Sequence, residues 1–556
     1  MPVIWMPVMP VRAMWMPVAI ASGTMSSVGR ASALVGAGTL VSRATGLVRN
    51  VVLAAALPVV GGGAANAFAV ANQLPNNIYA IISSGLLAGV IVPQIIKAAR
   101  HEDRGSAFVS KLLTLGVIAL AATTVLAVIL APVLVQIYGS RMGPETIALT
   151  LAFAYWCLPQ LFFYGLYALL GEILNARRIF GPFAWSPIIN NIVSIIGFSA
   201  FIIVFGAHSG VIGWTPEMIA LIAGTATLGI IAQALVLLLF WRRAGLHVRP
   251  DFHWRGIGLR HIGRLAGWTF LMVVVGQIAG AIQVNLVGEA SDAGAGVAAM
   301  QFAWLVFMLP FSVIVLSIGT PYFTQLSEHA AAGRTESVRA DLDTSTRIIG
   351  VFIVGALAAI VAAIVPISRV FTDSATNAVS FALVLGAYLV ALVPLSVQFV
   401  LQRTFYAYHD TRTPFLFTLV QAILVSVTAV IASLTLPVTL LAFGIALGQS
   451  IANIVQLGLA VWLLRRKIGP LGLTRAAGAY VRFLVAAVPA TAAGWLTFLL
   501  LGGVDGWAAS DRGPALVAMI VIGAVSLLVY LGALALVRAP ELQAATRAVR
   551  RFLPGR

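Results

Sequence analysis

The sequence predicts an all-α integral membrane protein: about fourteen transmembrane helices in two six-helix lobes around a central cavity, plus two extra C-terminal helices. Three observations carry that prediction. Of 556 residues, 60% are hydrophobic and 9% charged, with a mean hydropathy of +1.01, whereas soluble proteins carry about 25% charged residues. Apolar runs recur to the end of the chain, each close to or above the roughly 20 residues that a spanning helix needs. The two halves also repeat one another weakly, in the same orientation.

Residues 1–30 are an N-terminal extension expected to be disordered. Met1-Pro2-Val3, Met6-Pro7-Val8 and Met16-Pro17-Val18 repeat a theme whose prolines forbid a regular helix. The stretch lacks the basic start and cleavage site of a signal peptide, and Met25 is the expected true start. Fourteen apolar runs follow, at about 31–59, 66–96, 107–138, 146–175, 182–206, 217–241, 258–288, 295–325, 338–367, 375–405, 413–434, 438–464, 476–501 and 514–537. Gly61, Gly62 and Gly63 end the first. Several exceed about 25 residues and are expected to tilt or protrude.

Basic residues set the orientation. With the N-terminus inside, the inner turns carry Lys97, Arg100 and Arg104, then Arg177 and Arg178, then Arg242 to Arg260, Arg334 to Arg347, Arg403 and Arg412, and Arg465 to Arg475. The opposite turns hold only Arg141, Arg369 and Arg512. This asymmetry supports fourteen spans and cytoplasmic termini, and it explains the net charge of +17 without nucleic acid. The last residues, 539–556, read as a basic cytoplasmic tail. A short amphipathic helix on the anionic inner leaflet and a frayed solvated tail are both open.

The repeat sets the domains. Ser42-Arg43-Ala44-Thr45-Gly46-Leu47 in span 1 answers to Gly263-Arg264-Leu265-Ala266-Gly267-Trp268 in span 7. Gln73 and Pro93 answer to Gln301 and Pro321, and Pro182-Phe183 to Pro414-Phe415. The offsets grow smoothly, as small loop insertions make them. The parallel repeat is a transporter plan with the substrate path between lobes. The expected lobes are 31–243 (helices 1–6) and 244–467 (helices 7–12), with helices 13–14 at 468–538.

Arg43 and Arg49 lie inside span 1. A guanidinium at mid-bilayer costs roughly 2.5–3.5 kcal/mol even on the mildest scale. For Arg43, near the start of the span, snorkelling to the interface and facing a polar cavity are both open. Arg49 lies about 9 Å deeper and is expected to face the cavity. Acids are nearly absent from the spans. Glu172 alone lies clearly within one, and it is expected to be an interfacial partner of Arg177 or Arg178 rather than an ion-exchanging carboxylate. Amides are plentiful, and Asn72-Gln73-Leu74-Pro75-Asn76-Asn77 is the densest cluster. Pro75 frees a backbone carbonyl, so a helix break lining a cavity is expected there. No P-loop, nucleophile triad or metal-ligand spacing occurs among the seven histidines, and the single Cys157 excludes an intramolecular disulfide. The protein is expected to be a transporter and not an enzyme, with no cofactor and no coupling ion identified. Arginines and amides without acids suit an anion bearing sugar- or peptide-like groups, since a guanidinium fork matches phosphate.

At Ser42–Asn50 and at Asn66–Pro93 the chain resembles the MurJ (MviN) family of bacterial lipid II flippases. The matching stretches are Ser42-Arg43-Ala44-Thr45-Gly46-Leu47-Val48-Arg49 and Phe68-Ala69-Val70-Ala71-Asn72-Gln73-Leu74-Pro75-Asn76, with Val92-Pro93 beyond. Weaker likenesses fall at Leu174-Asn175 before Pro182-Phe183, and at Phe405-Tyr406 through Asp410, Thr413 and Pro414. The wording of span 2 is similar to actinobacterial members. The resemblance implies a fourteen-helix flippase of the multidrug/oligosaccharidyl-lipid/polysaccharide superfamily, with a cationic central cavity and a lipid-tail groove at helices 13–14. It implies lipid II as substrate, an undecaprenyl-pyrophosphoryl disaccharide-pentapeptide, moved from inner to outer leaflet of the bacterial plasma membrane. Arg43 and Arg49 match two cavity arginines. Ser42 beside them, and Asn66, Asn72, Gln73, Asn76 and Asn77 of span 2, complete the expected substrate-binding set. Membrane lipids are expected neighbours, and cell-division and cell-wall synthesis proteins are candidate partners.

The departures are specific. Asn66 stands where proteobacterial members carry Asp, Tyr79-Ala80 where they carry an Arg pair, Ser84 where they carry Glu, and Leu305 and Met308 where Arg and Glu are expected. Substrate contacts and gate ion pairs are not carried over at those positions. A flippase for another polyprenyl-linked glycan, a cation-coupled multidrug exporter and a non-transporting cell-wall scaffold stand as alternatives.

Overall fold

The computed structural model describes the backbone at residues 27–86, 105–253, 259–472 and 474–542, and side chains at 35–84, 105–253, 267–472 and 474–542. Met25 and most of the N-terminal extension, Pro93, the Lys97–Arg104 basic cluster and the tail beyond Leu542 lie outside the described residues. Within them the chain is helical, save for turns and one isolated antiparallel bridge, Val60 to Ala295. Helices satisfy their own backbone groups, which is what a chain this apolar needs in lipid. Two compact units divide it: Met1–Pro58 with Gly62–Gly288, and Val59–Gly61 with Glu289–Arg556.

The first unit holds α1 (Ser27–Ala56), α2 (Gly63–Leu86), α3 (Ser106–Ile129), α4 (Ala131–Gly139), α5 (Pro144–Cys157), α6 (Gln160–Ala176), α7 (Gly181–Phe205), α8 (Pro216–Ile219), α9 (Thr225–Leu235) and α10 (Leu259–Val287). Two expected runs are broken. The run at 107–138 splits at Leu130, just before Pro132, and the run at 146–175 splits at Leu158-Pro159. Proline removes an amide donor and crowds the preceding turn, so each long run becomes two helices. Thr215 caps α8 by accepting from the Met218 amide. A π turn at Ala220–Gly224 leads into α9, which tightens to a 3-10 segment ending at the left-handed Gly245.

Small residues let the helices approach. α1 packs on α7, with Gly38 beneath Trp185 and Gly46 beside Asn191. α7 also packs on α9, where Gly197 leaves room that a methyl group would take from Thr225. α3 and α6 share an apolar core of Val109, Leu113, Leu120, Leu169, Ile173 and Leu174, to which Leu237 and Leu246 add. After Gly245 the chain runs extended along α3. The amides of His247, Arg249 and Asp251 donate to Ser106 Oγ (3.4 Å), Ser110 Oγ (3.2 Å) and Thr114 Oγ1 (2.9 Å). The sequence repeat restarts at 244, whereas compactness divides the chain at Gly288, because α10 packs on α2 and α4.

The second unit holds α11 (Val297–Pro310), a π turn at Phe311–Val315, α12 (Leu316–Ala331), α13 (Thr335–Ala362), α14 (Ile364–Phe371), α15 (Ala375–Leu389), α16 (Leu392–Ala407), α17 (Arg412–Thr435), α18 (Leu441–Ile468), α19 (Thr474–Leu500), α20 (Trp507–Ser510) and α21 (Arg512–Leu536). The two C-terminal long helices pack on each other and on α13, through Val351, Val354, Phe483, Ala486, Tyr530 and Leu534. Charges pin this bundle at both ends. Glu541, buried, takes Arg347 at 3.3 Å and Arg482 at 3.0 Å, and Arg347 also reaches Asp343 at 2.9 Å. Arg369, equally buried, donates to the carbonyls of Ala509, Thr372 and Ser510. One of the three basic residues on the opposite turns is thus a structural seal over helix ends.

Twelve helical segments among the described residues, from Ser106–Ile129 to Arg512–Leu536, are long and apolar enough to cross a membrane. Large apolar side chains such as Ile129, Ile203, Leu239, Leu528 and Leu536 stand exposed on their outer faces, as lipid contact demands. The chain is a multi-pass membrane protein. α1 and α2 are also long, at 30 and 24 residues, but they stand outside the twelve. They carry the arginines and the amide cluster.

Candidate functional site

The candidate residues belong to α1 and α2 of the first unit. The hydrogen bonds from α7 set the rotation of α1. Asn191 Nδ2 donates to the Ser42 carbonyl (3.0 Å) and to Thr45 Oγ1 (2.9 Å). Ser42, Thr45 and Arg49 recur at i, i+3 and i+7, so this clasp fixes the α1 face that Arg49 shares. Arg43 is half-buried. Six residues apart, Arg43 and Arg49 leave the axis about 120° apart, so Arg49 shares that face and Arg43 lies off it.

Arg49 is half-buried and donates weakly to Asn50 Oδ1, at 3.5 Å. Tyr164 of α6 lies within its electrostatic reach. Arg49 has no carboxylate partner among the described residues. A guanidinium without a counter-ion in an apolar helix bundle is a strong attractor for an anion.

The amides of α2 divide into two stripes. Asn66, Gln73 and Asn77, at i, i+7 and i+11, are buried. Asn66 Nδ2 holds the Gly62 carbonyl (3.0 Å) at the helix start, and Asn77 Nδ2 donates to Tyr138 of α4 (3.1 Å). Asn72 and Asn76, one turn apart, are half-buried, and Tyr79 and Ser83 continue their face. Asn72 Oδ1 accepts from Gln160 (3.2 Å), which also donates to Thr227 (2.9 Å). α2 stays helical through Pro75, so the expected break is absent. Buried side-chain contacts with α4 and α6 on either side of Pro75 hold the helix together, as neighbouring helices do for membrane prolines.

Glu172 corrects a second expectation. It is buried and pairs with neither Arg177 nor Arg178, and its Oε2 has no hydrogen-bond partner among the described residues. Side chains five apart on a helix diverge by about 140°, and only i, i+3 and i, i+4 pairs meet. Tyr79 and Tyr167 lie within its electrostatic reach. Tyr164, Gln160 and Asn191 now stand beside the expected set. In the sequence Tyr79 stood out only as a replacement for an Arg pair, and Gln160 gave no signal. No group of three or more His, Cys, Asp or Glu that could hold a metal occurs among the described residues.

The sequence profile described as "Lipid II flippase MurJ" matches residues 59–510. A "Probable lipid II flippase MurJ" of Haemophilus influenzae is 26% identical over 514 residues, covering 85% of this chain and 92% of that protein. Its counterpart in Vibrio cholerae is 26% identical over 549 residues, covering 92% and 97%. Among solved structures, "Lipid II flippase MurJ, inward closed conformation" superposes with a TM-score of 0.69 at 20% identity, covering 90% of this chain and 98% of that one. An inward-facing multidrug resistance MATE family transporter of the MOP superfamily gives 0.61 at 16% identity, covering 78% and 96%. At these identities the two structures speak for the fold alone.

Proposed function

Because this chain belongs to the lipid II flippase MurJ family, we propose that it moves lipid II from the inner to the outer leaflet of the bacterial plasma membrane by alternating access. The observation that carries this reading is Arg49: a guanidinium inside a helix bundle, near Tyr164 and the Asn50 amide oxygen, with no carboxylate to neutralise it among the described residues. Arg43 and Arg49 grip the pyrophosphate, and Asn72 and Asn76 meet the sugar and peptide groups of the head. Ser42, Asn66, Gln73 and Asn77 serve the site from behind, through backbone and packing. In this reading α1 and α2 complete fourteen spans, both termini are cytoplasmic, and the paired C-terminal helices offer the lipid-tail groove. Transport, with no chemistry on the substrate, is the whole activity.

The replaced charges at Asn66, Tyr79, Ser84, Leu305 and Met308 support a second reading, a related glycan on the same polyprenyl-pyrophosphate carrier. Depletion in the native host, followed by complementation, tests both. The first reading expects lipid II to accumulate in the inner leaflet, wild-type protein to clear it, and Arg49→Ala to fail at normal membrane levels. Accumulation of a different polyprenyl-linked glycan selects the second reading. Full rescue by Arg49→Ala refutes the anion site and leaves a scaffold.

A further inference from the structure

Glu172 of α6 is a buried carboxylate that the proposed site does not use. Among the described residues it has no ion-pair partner, and one of its oxygens has no hydrogen bond. Removing a carboxylate from water without pairing it is strongly unfavourable, so such a group needs a proton or a compensating cation.

Its surroundings lead to Arg49. Tyr79 of α2 lies within electrostatic reach of Glu172. The Tyr79 ring is 6.0 Å from the Tyr164 ring, inclined by 30°. Tyr164 in turn lies within reach of Arg49 on α1. Tyr164 and Glu172 are two turns apart on one side of α6, about 12 Å along the axis. Arg49, Tyr164, Tyr79 and Glu172 therefore form a file through the first unit, with its one cation and its one acid at opposite ends.

Among the described residues, the other neighbours leave the file alone. Tyr167 is also near Glu172, but its hydroxyl is committed to the Phe183 carbonyl at 2.9 Å. Lys111, the one charged residue of α3, lies toward Asp251. α7 and α9 bring no ionisable side chain. Arg243, after α9, lies over the Phe240 ring at 5.3 Å.

We propose that Glu172 is a proton-binding site linked to anion binding at Arg49. With Arg49 empty, its positive charge supports an ionised Glu172 along the file. When an anion settles on Arg49 that support is cancelled, and Glu172 takes a proton from water. By reciprocity, the proton then favours the anion by the same factor. The loaded protein carries one negative charge fewer than the anion alone would give it. The linkage rests on the reading of Arg49 as the anion site.

The test uses purified full-length protein and a short-chain polyprenyl-pyrophosphoryl sugar, a diester whose charge is fixed across the neutral range. Binding is titrated in weak buffer while proton uptake is recorded. Wild type is expected to take up a proton with the anion, and its affinity to fall by up to about tenfold per pH unit as Glu172 ionises. Glu172→Gln is expected to bind the probe with no linked uptake and a flat pH profile, and Glu172→Asp to keep the linkage with a displaced profile. Uptake by Glu172→Gln equal to wild type, or binding by wild type without uptake, overturns the proposal. Arg49→Ala reports separately: probe binding at wild-type strength there sinks the anion site itself, whatever Glu172 does.

Discussion

Asp410 shows how much one residue can hold at a turn. It lies between α16 and α17 and accepts from the Thr413 amide (3.0 Å), the Thr413 hydroxyl (2.8 Å) and Lys467 of α18. Burial works to raise its carboxyl, but the Lys467 and Thr413 hydrogen bonds outweigh it and hold the group below the ordinary carboxylate range. Its stabilising effect is therefore fully present above the unfolded value, near pH 3.9, and is lost as pH falls through the lower folded value. Asp410→Asn is expected to lower the melting temperature at neutral pH, with the gap to wild type closing on acidification below about pH 4. A gap constant from neutral to acid pH would remove the charge from this account. The family-like wording from Phe405 to Pro414 thus has a local physical cause. Glu172 was harder to read, because sequence gives spacing but not what lies across a helix interface.

At the scale of elements, apolar runs located the helices well and their interruptions poorly. The proline at 159 was visible, but the long apolar stretch on either side of it, interrupted only by Gln160, concealed the join between α5 and α6. The reverse held at Pro75, where the sequence argued for a break and packing kept α2 whole. The amides of α2 were legible as a cluster, and only the helix sorted them into an inner and an outer stripe. Asn191 is the contact that sets the α1 face. Interhelical hydrogen bonds in membranes average about 0.6 kcal/mol, so Asn191→Ala, which removes two, is expected to destabilise by about 1 kcal/mol. Thermal unfolding in detergent measures that loss. Transport is expected to fall further than this small loss explains, because α1 becomes free to turn the Arg49 guanidinium away.

For the whole molecule, composition and the distribution of basic residues were enough to give class, approximate span number and the expectation of a transporter. Substrate identity was not legible there and came only through resemblance. Moving an anion outward across an inside-negative membrane gains roughly 2.3 kcal/mol per net charge per 100 mV. Flipping in vesicles is expected to accelerate with an imposed inside-negative potential and to slow when the potential is collapsed; indifference to potential rules this drive out.

The extended run along α3 has one more consequence. Two residues of a strand advance about 6.6 Å, while four residues of a helix advance about 6.0 Å, so the amides and hydroxyls of the three rungs work as a vernier. Each step adds about 0.6 Å of mismatch, by the same two rises. The three bonds shorten along the seam, from 3.4 to 3.2 to 2.9 Å, so the mismatch is absorbed, and Ile118, one turn beyond Thr114, offers no hydroxyl for a fourth rung. The spacing of hydroxyls on α3 therefore sets the length of the seam. It ends just past Pro250, where Asp251 turns back to accept from the His253 amide at 2.8 Å.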